Sequence, residues 1–97
     1  MRIILCCSQG MSSSIFVKIM RNEIKEQNLD FTVASIGIFE VKKYIDKADL
    51  ILLAPQVKYA FKEISEMSKN YNVPTILISE NDYGIMNVKK VLSIIKV

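Results

Sequence analysis

The sequence predicts an α/β protein: a three-layer αβα sandwich around a four-stranded parallel sheet in the order 2-1-3-4, with a phosphate-binding loop after strand 1. Three observations carry the fold. Short apolar runs alternate with segments of helical period along the whole chain, and such alternation implies parallel strands covered by helices on both faces. The first and third apolar runs are the richest, so they take the central places. Right-handed crossovers then leave few topologies. The order reverses between the first and third strands, so a ligand crevice is expected at their carboxyl ends.

Each element has its own signal. Arg2–Cys6 is a continuous apolar run, as in a strand buried on both faces. From Ser12 to Gln27, the residues Ile15, Phe16, Ile19, Met20 and Ile24 recur at helical spacing, with Lys18, Arg21, Asn22, Lys25 and Glu26 opposite them. Ser12, Ser13 and Ser14 are N-cap candidates, and Asn28 is a stop. Phe31–Ile36 reads as the second strand, ended by Gly37. Phe39–Lys47 is a weaker helix with Val41, Tyr44 and Ile45 on its inner face. Asp49–Ala54 is the third strand, stopped by Pro55, which suits the first turn of the next helix. That helix runs to about Asn70 with Val57, Ala60, Phe61, Ile64, Met67 and Tyr71 on one face. Val73–Ser79 is the fourth strand, with Pro74 tolerable near its start. Asn87 caps a last helix carrying Val88, Val91, Leu92 and Ile95.

Composition excludes several classes. Ninety-seven residues make one domain, 1–97, and 51% hydrophobic content is enough for its core. The net charge of +3 is spread along the chain, so no nucleic-acid partner is expected. No run approaches the roughly 18–20 apolar residues that span a bilayer, so no direct membrane insertion is expected. The start is too short in apolar residues for a signal peptide. The two cysteines, Cys6 and Cys7, are adjacent, and neighbours rarely form a structural disulfide. Free thiols without a signal point to the cytoplasm. The chain has no histidine, which removes histidine metal sites, Ser-His-Asp and Cys-His catalysis, and any phosphohistidine of its own. No metal and no cofactor are expected, and polar outer faces fit a monomer.

The chemistry concentrates at Cys7-Ser8-Gln9-Gly10-Met11-Ser12-Ser13-Ser14, where an apolar run ends in a thiol and a short loop enters a helix. Unpaired N–H groups and the positive end of the helix dipole lower a thiol's pKa and bind phosphate. Gly10 allows close approach of the backbone to an anion. Cys7 therefore reads as the nucleophile, with Ser8, Gln9, Gly10, Met11, Ser12, Ser13 and Ser14 as the phosphate-binding loop. Cys6 points to the opposite face of the strand and reads as packing. Small phosphatases that form phosphocysteine follow their cysteine, after five residues, with an arginine clamp; here that position is Ser13. Asp82 could supply an acid, but without the clamp a carrier fits better than a hydrolase. Ala54-Pro55 at the end of strand 3 excludes a receiver domain's aspartate, and Gly-Lys-Ser/Thr is absent.

This loop closely resembles the phosphorylation loop of enzyme IIB of the bacterial sugar phosphotransferase system (PTS), in its lactose/cellobiose and diacetylchitobiose class. The resemblance continues at Leu53-Ala54-Pro55-Gln56-Val57-Lys58-Tyr59 and ends near Asp82-Tyr83-Gly84. It implies that a phosphohistidine of a IIA protein donates to Cys7. Cys7 then passes the group to a sugar, such as the β-linked disaccharides cellobiose, chitobiose or lactose, imported through the membrane protein IIC. It also implies a cytoplasmic chain held at the membrane through IIC, with Pro55, Gln56, Tyr59, Tyr83 and Gly84 bordering the site or docking partners. Gln9 stands where the family often has alanine. The alternatives are a low-molecular-weight cysteine phosphatase or arsenate-reductase-like enzyme, and a regulator that keeps the fold without passing phosphate on.

Overall fold

The computed structural model describes residues 1–8 and 11–96, and of Met11, Ser12 and Lys96 the backbone only. Strand β1 (Arg2–Cys7) leads to helix α1 (Met11–Glu26), then strand β2 (Thr32–Gly37). Two single 3-10 turns, Val41–Lys43 and Ile45–Lys47, precede strand β3 (Leu50–Leu53). A 3-10 segment, Pro55–Ala60, runs into helix α2 (Phe61–Lys69). Strand β4 (Thr75–Leu77), a short helix α3 (Glu80–Gly84) and helix α4 (Val88–Lys96) complete the order.

The four strands form one sheet in the expected order, β2-β1-β3-β4, and every pairing is parallel. Two apolar clusters cover its faces. One joins Ile3, Leu5 and Cys7 to Phe16, Met20, Val91 and Leu92; the other joins Ile4 and Cys6 to Val41, Ile45, Val57 and Ile64. Adjacent strand residues point to opposite faces, which is why the two cysteines separate.

Several expected elements shift. The buried side of α1 is Ser13, Phe16, Val17, Met20 and Ile24, while Ile15 is 47% and Ile19 36% exposed. That stripe has spacings of three and four residues and begins on a serine, which a count of apolar residues passes over. The weak helix over Phe39–Lys47 is two 3-10 turns instead; Val41 and Ile45 are buried as expected, but Tyr44 is exposed. Tyr71 also lies outside, beyond the end of α2. The fourth strand is only three residues long.

Ser79 does not end a strand. Its hydroxyl accepts from the Asp82 N–H at 3.1 Å and caps α3, an element absent from the expected order. Other signals act as read. Asn28 takes a left-handed φ of 56° after α1, with the Leu29 N–H donating to the Ile24 carbonyl at 3.0 Å. Asn87 accepts from the Lys90 N–H at 3.4 Å at the start of α4.

Candidate functional site

β1 carries Cys7 to the carboxyl end of the sheet, beside Gly37 of β2, its register partner, which contributes no side chain. Above this point an open cleft of about 480 Å³ is lined by Cys7, Ser13, Ser14, Ser35, Ile36, Gly37, Glu40 and Tyr44. The structure thus brings Cys7 together with two serines of the first turn of α1. Ser8 lies at the exit of β1. Gln9 and Gly10, and the side chains of Met11 and Ser12, lie outside the described residues.

α1 starts at Met11, so Ser12, Ser13 and Ser14 sit within its first turn and not ahead of it as caps. The first four N–H groups of any helix lack intrahelical acceptors, and here they belong to the turn that borders the cleft. A 16-residue helix adds its positive dipole end at the same place.

Two contacts of the thiol come from β2. Cys7 Sγ is 3.2 Å from Ser35 Oγ and 3.9 Å from the Ile36 carbonyl oxygen. Register explains the first. Ser35 pairs with Leu5, so it shares Cys7's face and lies diagonally across from it. Ser35, Glu40 and Tyr44 were not among the residues expected from sequence. The signal for Ser35 was available, since the alternation of the second strand puts it on the thiol's side once β1 and β2 are paired in parallel. Glu40 and Tyr44 arrive through the 3-10 turns, which carry no periodic signal.

The cleft opens toward β2, whereas the crevice was expected between the first and third strands. On the β3 side, Ala54 and Val57 are fully buried, one in each apolar cluster. Pro55, Gln56, Tyr83 and Gly84 line a separate hollow with Glu80. The Tyr83 ring is itself buried, stacked on Phe16 with centroids 4.9 Å apart. Tyr59 is 72% exposed and belongs to a third groove, with Phe39, Lys42 and Glu63. The structure therefore gathers Pro55, Gln56, Tyr83 and Gly84 in one hollow, apart from the described lining of the thiol cleft, and leaves Tyr59 in another groove.

Electrostatics separate the cysteines. Cys6 is fully buried, and loss of solvation, with Cys7 beside it, pushes its thiol up to about 12. It stays neutral at physiological pH. Asp82 is buried and bonded to Lys90 at 3.3 Å, and both line a hollow away from the thiol cleft. It is not placed to act as an acid at Cys7. Among the described residues lining the cleft, none is lysine or arginine, and Glu40 is the one formal charge. No group of side chains that could hold a metal occurs among the described residues.

Fold and cleft together define a class: a doubly wound α/β protein with a thiol at the carboxyl end of its first strand, beside a helix N-terminus. Residues 2–93 match the family described as PTS system, Lactose/Cellobiose specific IIB subunit. An oligo-beta-mannoside-specific EIIB component of Bacillus subtilis is 29% identical over 92% of this chain and 86% of its own length. A galactose-specific EIIB component of Lactococcus lactis is 30% identical, covering 94% and 89%. The solution structure of a cellobiose-specific IIB component from Borrelia burgdorferi superposes with a TM-score of 0.78 at 35% identity, over 96% and 85% of the two chains. A lactose-specific IIB domain from Streptococcus pneumoniae reaches 0.88 at 15% identity, over 98% and 93%, a likeness of fold alone. The chain belongs to the lactose/cellobiose IIB family of the sugar phosphotransferase system and is an EIIB component of sugar phosphotransfer.

Proposed function

We propose that residues 1–97 form one IIB domain whose Cys7 carries a phosphoryl group between a IIA protein and a sugar entering through IIC. The observation that supports this best is the setting of Cys7: at a strand end beside a helix N-terminus, in an open cleft whose described lining has no arginine or lysine. Such a lining offers neutral donors to a phosphoryl group and lacks the clamp that hydrolysis uses. The backbone N–H groups and hydroxyls of the Ser8–Ser14 loop hold the group in this reading. Pro55, Gln56, Tyr59, Tyr83 and Gly84 serve partner contacts, with Tyr83 acting through its backbone and packing because its ring is buried.

Two displacements at phosphorus make up the cycle. In the first, the Cys7 thiolate forms an S–P bond while the N–P bond of the donor phosphohistidine breaks. With a proton on its other ring nitrogen, that histidine leaves as neutral imidazole. In the second, a sugar hydroxyl forms an O–P bond and the S–P bond breaks, returning the thiolate. The hydroxyl proton passes to a base outside this chain. A thiolate is a good leaving group, so the group moves on readily. The sugar is a β-linked disaccharide such as cellobiose, chitobiose or lactose, in keeping with the class of the family. No helix among the described residues is long and apolar enough to cross a membrane. In this reading the chain is a cytoplasmic monomer that meets the membrane through IIC.

The test is transfer from a phosphorylated IIA protein, read by intact mass. Wild type and Cys6→Ser gain one phosphoryl group, and Cys7→Ser gains none. Normal labelling of Cys7→Ser overturns the assignment. Turnover of a phosphate monoester by the isolated chain would favour the phosphatase alternative.

A further inference from the structure

We propose that Ser35 is a positioning residue for Cys7: its hydroxyl donates to the sulfur once the thiol ionises and so sets how easily the thiolate forms. Within the transfer reaction this role rests on the reading of Cys7 given above; as a property of the thiol it stands alone.

Two oxygens of β2 face the sulfur, and they differ in what they can do. The Ile36 carbonyl, 3.9 Å from Sγ, accepts the thiol proton but repels a thiolate. The Ser35 hydroxyl, at 3.2 Å, both accepts and donates. Loss of the S–H proton therefore leaves Ser35 as the donor of that pair, and a hydrogen bond to the charged form favours that form. The contact is imposed by strand register, since Ser35 pairs with Leu5 two residues before Cys7 on the same face. A strand backbone holds it, so the hydroxyl meets the sulfur without ordering a loop.

The charges around the thiol increase the weight of a neutral donor. Glu40 and Tyr44 line the same cleft, Cys6 precedes it on β1 with its thiol on the opposite face, and Tyr83 shares its apolar cluster. None of these is a cation, and the described lining supplies none. Glu40 disfavours a second negative charge. Among the described groups, the first turn of α1 and the Ser35 hydroxyl are the ones at the cleft suited to stabilise the thiolate.

The experiment is the pH profile of Cys7 alkylation by iodoacetamide in the folded full-length chain, with the modified residue identified by fragment mass. Ser35→Ala moves the midpoint upward, so alkylation below the midpoint slows roughly three- to tenfold, the value of one hydrogen bond to a charged group partly open to water. At high pH the rate returns to that of the wild type. Ser35→Thr, which keeps the hydroxyl on a strand, restores the midpoint. A Ser35→Ala profile that coincides with wild type, or that is lowered equally at every pH, overturns the proposal. Phosphoryl acceptance by Cys7→Ser is measured separately. Labelling there overturns the carrier reading and leaves the Ser35 profile to be judged by itself.

Discussion

At the scale of single residues, adjacency of two thiols invites the question of which one works, and burial separates them. Cys6 is sealed on the face covered by Val41, Val57 and Ile64, and Cys7 lies at the cleft. A thiol held near 12 in the fold, against about 8.5 in an open chain, keeps its proton over a window in which the unfolded chain has lost its own. The folded state then binds more protons than the unfolded state, so stability is fully present below about pH 8.5 and is lost as pH climbs toward 12. The full window amounts to roughly 4–5 kcal/mol from this group. Cys6→Ala removes that dependence and costs about 1 kcal/mol at neutral pH through lost packing. Urea denaturation of both proteins at pH 7, 9 and 10.5 measures it: the stability gap should close near pH 9 and reverse by pH 10.5, where Cys6→Ala becomes the more stable protein. A constant gap would mean that Cys6 does not titrate between the two states.

At the scale of elements, the helix that borders the cleft is oriented by packing that its apolar residues alone do not specify. Ile15, Phe16, Val17, Ile19, Met20 and Ile24 spread over more than half of α1. Hydrophobicity therefore leaves its rotation open by nearly one residue. Contact with α4 and β2 decides it, burying Val17 and turning Ile15 and Ile19 outward. Val17→Ala should cost about 2 kcal/mol, a cavity under α1. Ile15→Ala should change stability by less than about 0.5 kcal/mol. Denaturant midpoints of the two variants check the rotation, and equal losses would contradict it. The same limit hid α3. Glu80–Gly84 is five residues with no apolar period, held by the Ser79 cap, the Phe16–Tyr83 stack and the Asp82–Lys90 pair. Only the cap is a local signal.

At the scale of the whole molecule, strand order was legible because the apolar content of Arg2–Cys7 and Leu50–Leu53 reflects burial on both faces, which only central parallel strands have. The thiol was legible because its loop is contiguous in sequence. Ser35, 28 residues away, becomes legible only once β1 and β2 are paired, and Glu40 and Tyr44 were not legible, because the irregular segment after β2 that brings them to the cleft carries no periodic signal. The same two-sided burial makes stability uneven across the sheet. β1 pairs on both edges, with β2 and β3, and five of its six residues are buried. β4 is a three-residue edge strand with no fully buried residue, and α3 is a single short helix beyond it. Openings of small free energy should therefore concentrate at β4 and α3, while β1 and β3 exchange only through global unfolding. Native-state hydrogen exchange tests this directly. Amides of Ile4, Leu5, Cys6 and Leu52 should share the highest protection, set by global stability, and those of Leu77 and Asp82 should exchange at least tenfold faster. Protection of β4 equal to that of β1 would mean that the sheet opens as one unit. The loops after β3 and β4 would then be as rigid as the strand that carries the thiol, and a partner could not reshape the Pro55–Tyr83 hollow without unfolding the site.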